Sequence, residues 1–391
     1  MLRIQTMLNR VRKKIRHMLG GGRTPPIHKR VVSLEPEGAV RGRVLLSYII
    51  EPFLNGGKHI DNKHTHYWES YQIAQTFLKH RYAVDVISYL NRAFKPEKPY
   101  DYFFSARTNL ERISRHLNRD CVKVAHLDTA HWVFNNRAAY ERMAYLLERR
   151  GVVVAGGKCV EENWAIEAAD LGTVLGNRFT MDTYAYSGKP IHRIPISAPC
   201  TYAWDTEKNF EACRRNFIWF GSSGFVHKGL DIVLDAFAEM PEYTLYVCGP
   251  IDQEARFVEA YHQELYETEN IKTIGWVDVE SEEFMAVARQ CAALVYPTCA
   301  EGGGGSVITC MHAGLIPVVS HEASVDIDKQ CGMVLEGCKV EDIRRAVASL
   351  ASRNAQELEE MARAAWKMAR ERHTRERFAA EFERFVTGRL L

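Results

Sequence analysis

Residues 292–320 read AALVYPTCAEGGGGSVITCMHAGLIPVVS. The run 292–297 is apolar and of strand length, and 317–320 is a second such run. Between them, four consecutive glycines, Gly302, Gly303, Gly304 and Gly305, lead into a helical stretch over about 306–313 that Gly314 stops. Strand, glycine loop, helix and strand make one βαβ unit, and a chain of such units folds as a parallel α/β sheet. Glycines have no Cβ, so a ligand can come close to their amides. The helix behind them offers unpaired N–H groups and a positive dipole end, which favour an anion. Glu301, at the mouth of the loop, is an acceptor suited to hydroxyl groups. Together these point to a phosphorylated sugar. The competing reading is an ordinary glycine turn.

Outward from this stretch the same alternation continues. Towards the N-terminus lie strands at 217–220, 243–248 and 271–274, and towards the C-terminus a short one at 332–335. Helices are expected at 230–239, 254–267, 281–290, 341–350 and 355–371. A second glycine-bearing loop, GSSGFVHKG, runs from Gly221 to Gly229 and holds Ser222 and Lys228. The first half of the chain repeats the architecture, with strands at 44–50, 84–89, 100–105, 122–127, 152–155 and 168–175. Its helices are expected at 64–80, 110–117 and 136–150. This predicts two α/β domains, 41–200 and 201–374, followed by a last helix over 375–391 with Phe378, Phe382 and Phe385 on one face.

The 391 residues suffice for two domains, and 46% hydrophobic with 26% charged residues is ordinary for a globular protein. A net charge of +2 argues against a general nucleic-acid binder. Ten cysteines without a C-x-x-C pair, and no visible secretory signal, read as reduced thiols in a cytoplasmic chain. Residues 1–22 predict a basic amphipathic helix. Ile4, Leu8, Val11, Ile15 and Met18 share one face, and no acid occurs before Gly20. Such a segment fits an in-plane contact with an anionic membrane through residues 1–19. A disordered tail or a helix docked on the protein's own body are the alternatives. Residues 23–40 read as a linker.

Three features occur in order: the loop GSSGFVHKG, the segment Gly275–Trp276–Val277 after a strand, and the block from Pro297 to Val318. Together they resemble the C-terminal half of a retaining family 4 glycosyltransferase. The resemblance implies the GT-B fold, two Rossmann-like doubly wound domains facing a central cleft. It implies a glycosyltransferase that needs no metal or cofactor beyond its co-substrate, a UDP- or GDP-sugar, and a glycan or lipid-linked acceptor. Lys228 and Glu301 would be the catalytic pair, with Lys228 at the leaving diphosphate and Glu301 on the sugar hydroxyls. Gly221, Ser222, Gly302–Gly305, Ser306 and Thr309 would surround the donor, and the backbone of Gly275, Trp276 and Val277 would meet the nucleobase. The chain departs from the family pattern twice. Thr309 occupies the second position of the Glu-x7-Glu motif, and Ser222 stands where an arginine is usual. On the acceptor side the candidates are Asn55, Gly56, His64, Asp128 and His131, each also readable as a cap or turn residue. A sugar-nucleotide binding scaffold without turnover, or another sugar-nucleotide enzyme such as an epimerase, are the rival functions.

Overall fold

The computed structural model describes residues 26–58, 60–62, 64–154 and 158–391. The basic segment 1–22 and the membrane contact expected of it lie outside these residues. Among them, no helix is long and apolar enough to cross a membrane.

The N-terminal domain comprises β1 (Val31–Leu34), β2 (Gly42–Tyr48), α1 (Thr65–Lys79), β3 (Tyr82–Ser88), β4 (Tyr102–Ser105) and α2 (Asn109–Ser114). It continues through β5 (Val122–Leu127), α3 (Trp132–Arg150), β6 (Leu171–Val174) and β7 (Ile191–Arg193). Its sheet runs β1-β3-β2-β4-β5-β6-β7, parallel throughout except for the edge pair of β1 with β3. Val44, Leu45 and Leu46 in β2 are all fully buried, because both faces of a parallel strand are covered. That double burial makes the strand a continuous apolar run in the sequence.

The C-terminal domain opens with β8 (Asn216–Phe220), α4 (Leu230–Ala238), β9 (Thr244–Cys248), α5 (Ala255–Ala260), α6 (His262–Tyr266) and β10 (Ile271–Gly275). Then come α7 (Glu282–Gln290), β11 (Ala293–Tyr296), α8 (Gly305–His312), β12 (Ile316–Val319), β13 (Met333–Val334), α9 (Val340–Ala351), α10 (Ala355–Arg372) and α11 (Arg375–Arg389). The sheet order is β10-β9-β8-β11-β12-β13, all parallel. Counted within the domain this is 3-2-1-4-5-6, the Rossmann order. The expected pair of doubly wound α/β domains is what the chain forms.

The last helix, α11, packs against the N-terminal domain. Phe382 meets Phe104 and Phe77 edge to face at 5.5 and 6.1 Å, and Glu383 bridges Lys79 and His80.

Three local expectations fail. Residues 152–154 form no strand, since β5 already has β4 and β6 as neighbours and leaves no slot; residue 155 lies outside the described residues. The stretch read as a linker contains β1, held at the sheet edge by Ser33 donating to Asp85 at 2.5 Å. The helix expected over 254–267 is two helices that break at Tyr261, a fully buried ring.

Candidate functional site

In a sheet of Rossmann order, ligands bind beyond the strand C-termini where the winding direction reverses. Here that point lies between β8 and β11, paired only through Ala293 with Phe217 and Leu294 with Ile218. The loops that leave the two strands, 221–229 and 297–304, open a cleft of about 380 Å³ against the N-terminal domain. Of the residues singled out in the sequence, Gly221, Ser222, Lys228, Trp276, Val277, Glu301, Gly302–Gly305, Ser306 and Thr309 line it from one side. His64 and Asp128 line it from the other. Gly275, Asn55, Gly56 and His131 are not among its walls. Gly275 ends β10, and Asn55 closes a turn by accepting from the Gly57 amide at 3.1 Å. His131 caps α3 through the Val133 amide and meets Tyr186 Oη at 2.9 Å.

Lys228 is almost wholly buried, and its ammonium donates to Tyr296 Oη at 2.8 Å and to Glu301 Oε1 at 3.3 Å. Tyr296 Oη in turn donates to Glu301 Oε1 at 2.8 Å. The loop turns tightly enough to aim the lysine inward because Gly229 adopts φ +74°, where a Cβ would crowd Pro297 O. Burial by itself raises the Glu301 carboxyl. Lys228, Lys158, His227 and the Tyr296 hydroxyl outweigh it and bring the group down to about 2. Glu301 is therefore a carboxylate at any working pH, able to accept from hydroxyl groups and unable to donate.

The four glycines have different reasons. A Cβ on Gly302 would fall on the Asp128 carbonyl, and one on Gly303 would sit 2.7 Å from Ile196 Cδ1. Both positions are glycine because the other domain's chain presses against them. Gly304 needs its left-handed φ of +67° and abuts Ala323 O. Only Gly305 leaves room for a Cβ, which would meet Ile196 Cδ1 and Thr65 Cγ2 in ordinary contact at 3.8 and 4.0 Å. Gly304 caps α8 without a side-chain hydrogen bond, so the first amides of α8 are left for the cleft.

Thr309, 3% exposed, spends its hydroxyl hydrogen on Gly305 O at 2.9 Å, one turn back in α8. Trp276 stands exposed at the rim and Val277 is buried beneath it.

On the opposite wall Asp128 accepts two bonds from Arg107, at 3.0 and 3.2 Å. Its burial pushes the carboxyl up, but Arg107 and the nearby histidines hold it below its usual range. His64 accepts from the His66 amide at the start of α1. His66 Nδ1 lies 2.7 Å from Glu69, whose other oxygen takes both the amide and hydroxyl of Ser197.

Among the cleft residues that escaped the sequence reading, two bear on its chemistry, Tyr296 and Lys158. Tyr296 sat inside an apolar strand run and carried no polar signal. Lys158 follows two glycines, in the pattern Gly156–Gly157–Lys158, a weak signal that could have been noticed. Among the described residues no cluster of His, Cys, Asp and Glu could hold a metal ion.

Residues 214–353 match the family model "Glycosyl transferases group 1". No curated protein matches the chain significantly by sequence. Similar solved structures include sucrose-phosphate synthase from Thermosynechococcus elongatus, 12% identical with a TM-score of 0.59 over 88% of this chain and 98% of that one. HepE of Anabaena, in complex with UDP and glucose, is 13% identical with a TM-score of 0.56 over 89% of this chain and 99% of its own. TarM of S. aureus is 12% identical with a TM-score of 0.51; this chain, matched over 73%, spans only 54% of TarM. The chain thus has the GT-B fold, and its C-terminal domain is similar to the group 1 glycosyl transferases.

Proposed function

We propose that the cleft binds a nucleotide sugar, UDP- or GDP-linked, and transfers its sugar to a glycan or lipid-linked acceptor with retention of configuration and without a metal ion. The observation that carries this is the meeting of Lys228, Glu301 and the open N-terminus of α8 at the switch point of a Rossmann-order sheet. As the sugar–phosphate bond breaks, negative charge grows on the leaving diphosphate. A buried ammonium and fixed backbone amides are preorganised for that charge and need no rearrangement. Glu301 accepts from the sugar hydroxyls, and the backbone at Trp276 and Val277 faces the base. Asp128 and His64 hold the acceptor side. The acid-free segment 1–19 is assigned to the cytoplasmic face of an anionic membrane.

Retention fits the acceptor wall at Asp128, which is tied to Arg107 and is a poor base. An inverting reaction would instead use His66, oriented by Glu69. The anomeric proton coupling of the product, read by NMR, separates the two.

A second reading, a scaffold that binds nucleotide sugar without turnover, is favoured by Ser222 and by a Thr309 whose hydroxyl is committed to its own helix. Incubation with a panel of UDP-, GDP-, ADP- and dTDP-sugars decides between them. HepE is known with UDP, which makes UDP-sugars the first to try. Release of nucleoside diphosphate supports transfer, binding without release supports the scaffold, and no thermal shift with any donor would overturn both.

A further inference from the structure

Lys158 reaches the cleft from the N-terminal domain, in the connection between α3 and β6. Its backbone is anchored, since its carbonyl accepts from Asn135 Nδ2 of α3 at 2.7 Å. Its stem crosses the domain boundary and lies on Gly224 of the 221–229 loop. A Cβ there would meet Lys158 Cγ at 2.8 Å, and Gly224 has φ +92°. Its ammonium ends 3.5 Å from Ser222 Oγ, with no ion-pair carboxylate among the described residues. Two lysines, one from each domain, thus converge on one end of the cleft where the amides of α8 already favour an anion. Glu301 is the carboxylate between them, and Lys228 takes it. The protein around the ammonium, and Lys228 next to it, lower it to about 8, with Glu301 and Glu254 opposing only in part.

We propose that Lys158 is a diphosphate-binding residue supplied across the domain boundary, so that a nucleoside diphosphate is held between Lys158 of one domain and Lys228 of the other. This rests on the reading of the cleft as a nucleotide-sugar site. A ligand with two phosphates spans both lysines, whereas a nucleoside monophosphate satisfies fewer of these donors. Nucleotide binding thereby draws on both domains: the diphosphate supplies the negative charge that Glu301, paired with Lys228, leaves Lys158 short of.

The test is titration calorimetry of UDP and UMP (GDP and GMP if guanine is the base that binds) against wild type, Lys158→Met, Lys228→Met, and Lys158→Met with Ser222→Lys. Lys158→Met should keep the melting temperature of the wild type, since the residue is exposed and methionine retains the stem that lies on Gly224. It should weaken UDP by about tenfold or more, as expected for a lost charge-assisted contact, and UMP by clearly less. Ser222→Lys should restore most of the loss, because it puts an ammonium where Lys158 ends. If Lys158→Met binds UDP as wild type does while Lys228→Met does not, the inference falls and the nucleotide reading stands. Equal losses for UDP and UMP also overturn it. If wild type binds none of these nucleotides, both fall.

Discussion

A Cβ on Gly302 would land on the carbonyl oxygen of Asp128, so the first residue of the glycine run is a point of backbone contact between the two domains. Gly302→Ala must shift backbone rather than a flexible side chain. Overpacking of this kind costs about 1–3 kcal/mol, or several degrees of melting temperature. Gly305→Ala meets nothing closer than 3.8 Å and begins a helix, where alanine is the better residue. Its melting temperature should be unchanged or slightly higher, while its affinity for UDP falls because the new methyl fills the anion site. Calorimetric scans of the two variants check this, and equal destabilisation would refute the separation of roles.

Lys228→Met should lower any sugar-transfer rate by about a hundredfold or more, as loss of a preorganised charge at a leaving group does. It also has a pH signature. Glu301 is held at about 2 in the folded chain, below its ordinary 4.5, with Lys228 the strongest attraction set against burial. Such a group adds stability above the unfolded value and loses it as pH falls through the folded one. The stability gap between wild type and Lys228→Met should thus be full above about pH 5 and close as pH falls towards 2. A gap that is constant with pH would mean Lys228 does not hold Glu301 ionised.

Arg149 of α3 and Asp231 of α4 join the domains on the back of the cleft, with Nη2 2.5 Å from Oδ2 and the aspartate side chain wholly buried. Burial raises the Asp231 carboxyl even against Arg142 and Arg149, so the group depends on its partners. Arg149→Met should cost about 3 kcal/mol, the low end of the range for breaking a buried pair, because Asp231 is left with Arg142 alone. Adding Asp231→Asn should recover much of that loss, since the under-compensated charge is gone. Denaturant melts of the singles and the double give the coupling directly, and strict additivity would contradict it.

The βαβ unit around residues 292–320 was legible because strands covered on both faces leave apolar runs and glycine loops leave gaps between them. The structure shifts those elements by only a residue or so at their ends. What local pattern could not show was contact across the cleft. Gly302 and Gly303 looked like space for a ligand, yet Asp128 and Ile196 of the other domain account for them. Lys158 belongs to a loop without periodicity, and its destination depends on how two domains face each other. His131 and Gly275 are close in sequence to the cleft residues Asp128 and Trp276, but they serve a helix cap and a strand end. Direction at a loop is set by tertiary packing, which spacing does not encode. β1 was hidden for a similar reason: four residues at an antiparallel edge give too short a pattern.

Thr309→Glu tests whether the nucleotide lies as the resembled family would place it, with a carboxylate on the ribose diol. Thr309 lines the cleft, is 3% exposed and donates its hydroxyl hydrogen to Gly305 O. It offers a ribose only spare lone pairs. A glutamate there would bring a charged acceptor, and hydrogen bonds to charged groups contribute about 1.5–3 kcal/mol, or tenfold and more in affinity. Against this stand the cost of burying a carboxylate in the cleft and repulsion from Glu301, which lines the same cleft from the loop before α8. Without nucleotide the variant should therefore melt several degrees lower than wild type. With UDP it should recover more than wild type gains, because the ligand supplies the missing donors and binds only the folded state. Titration calorimetry should show UDP binding at least as tight as wild type, with uridine, which carries the diol without phosphate, gaining most. Weaker binding of both UDP and uridine by Thr309→Glu would mean the ribose does not approach α8, and that the pocket around Thr309 holds its nucleotide in another pose.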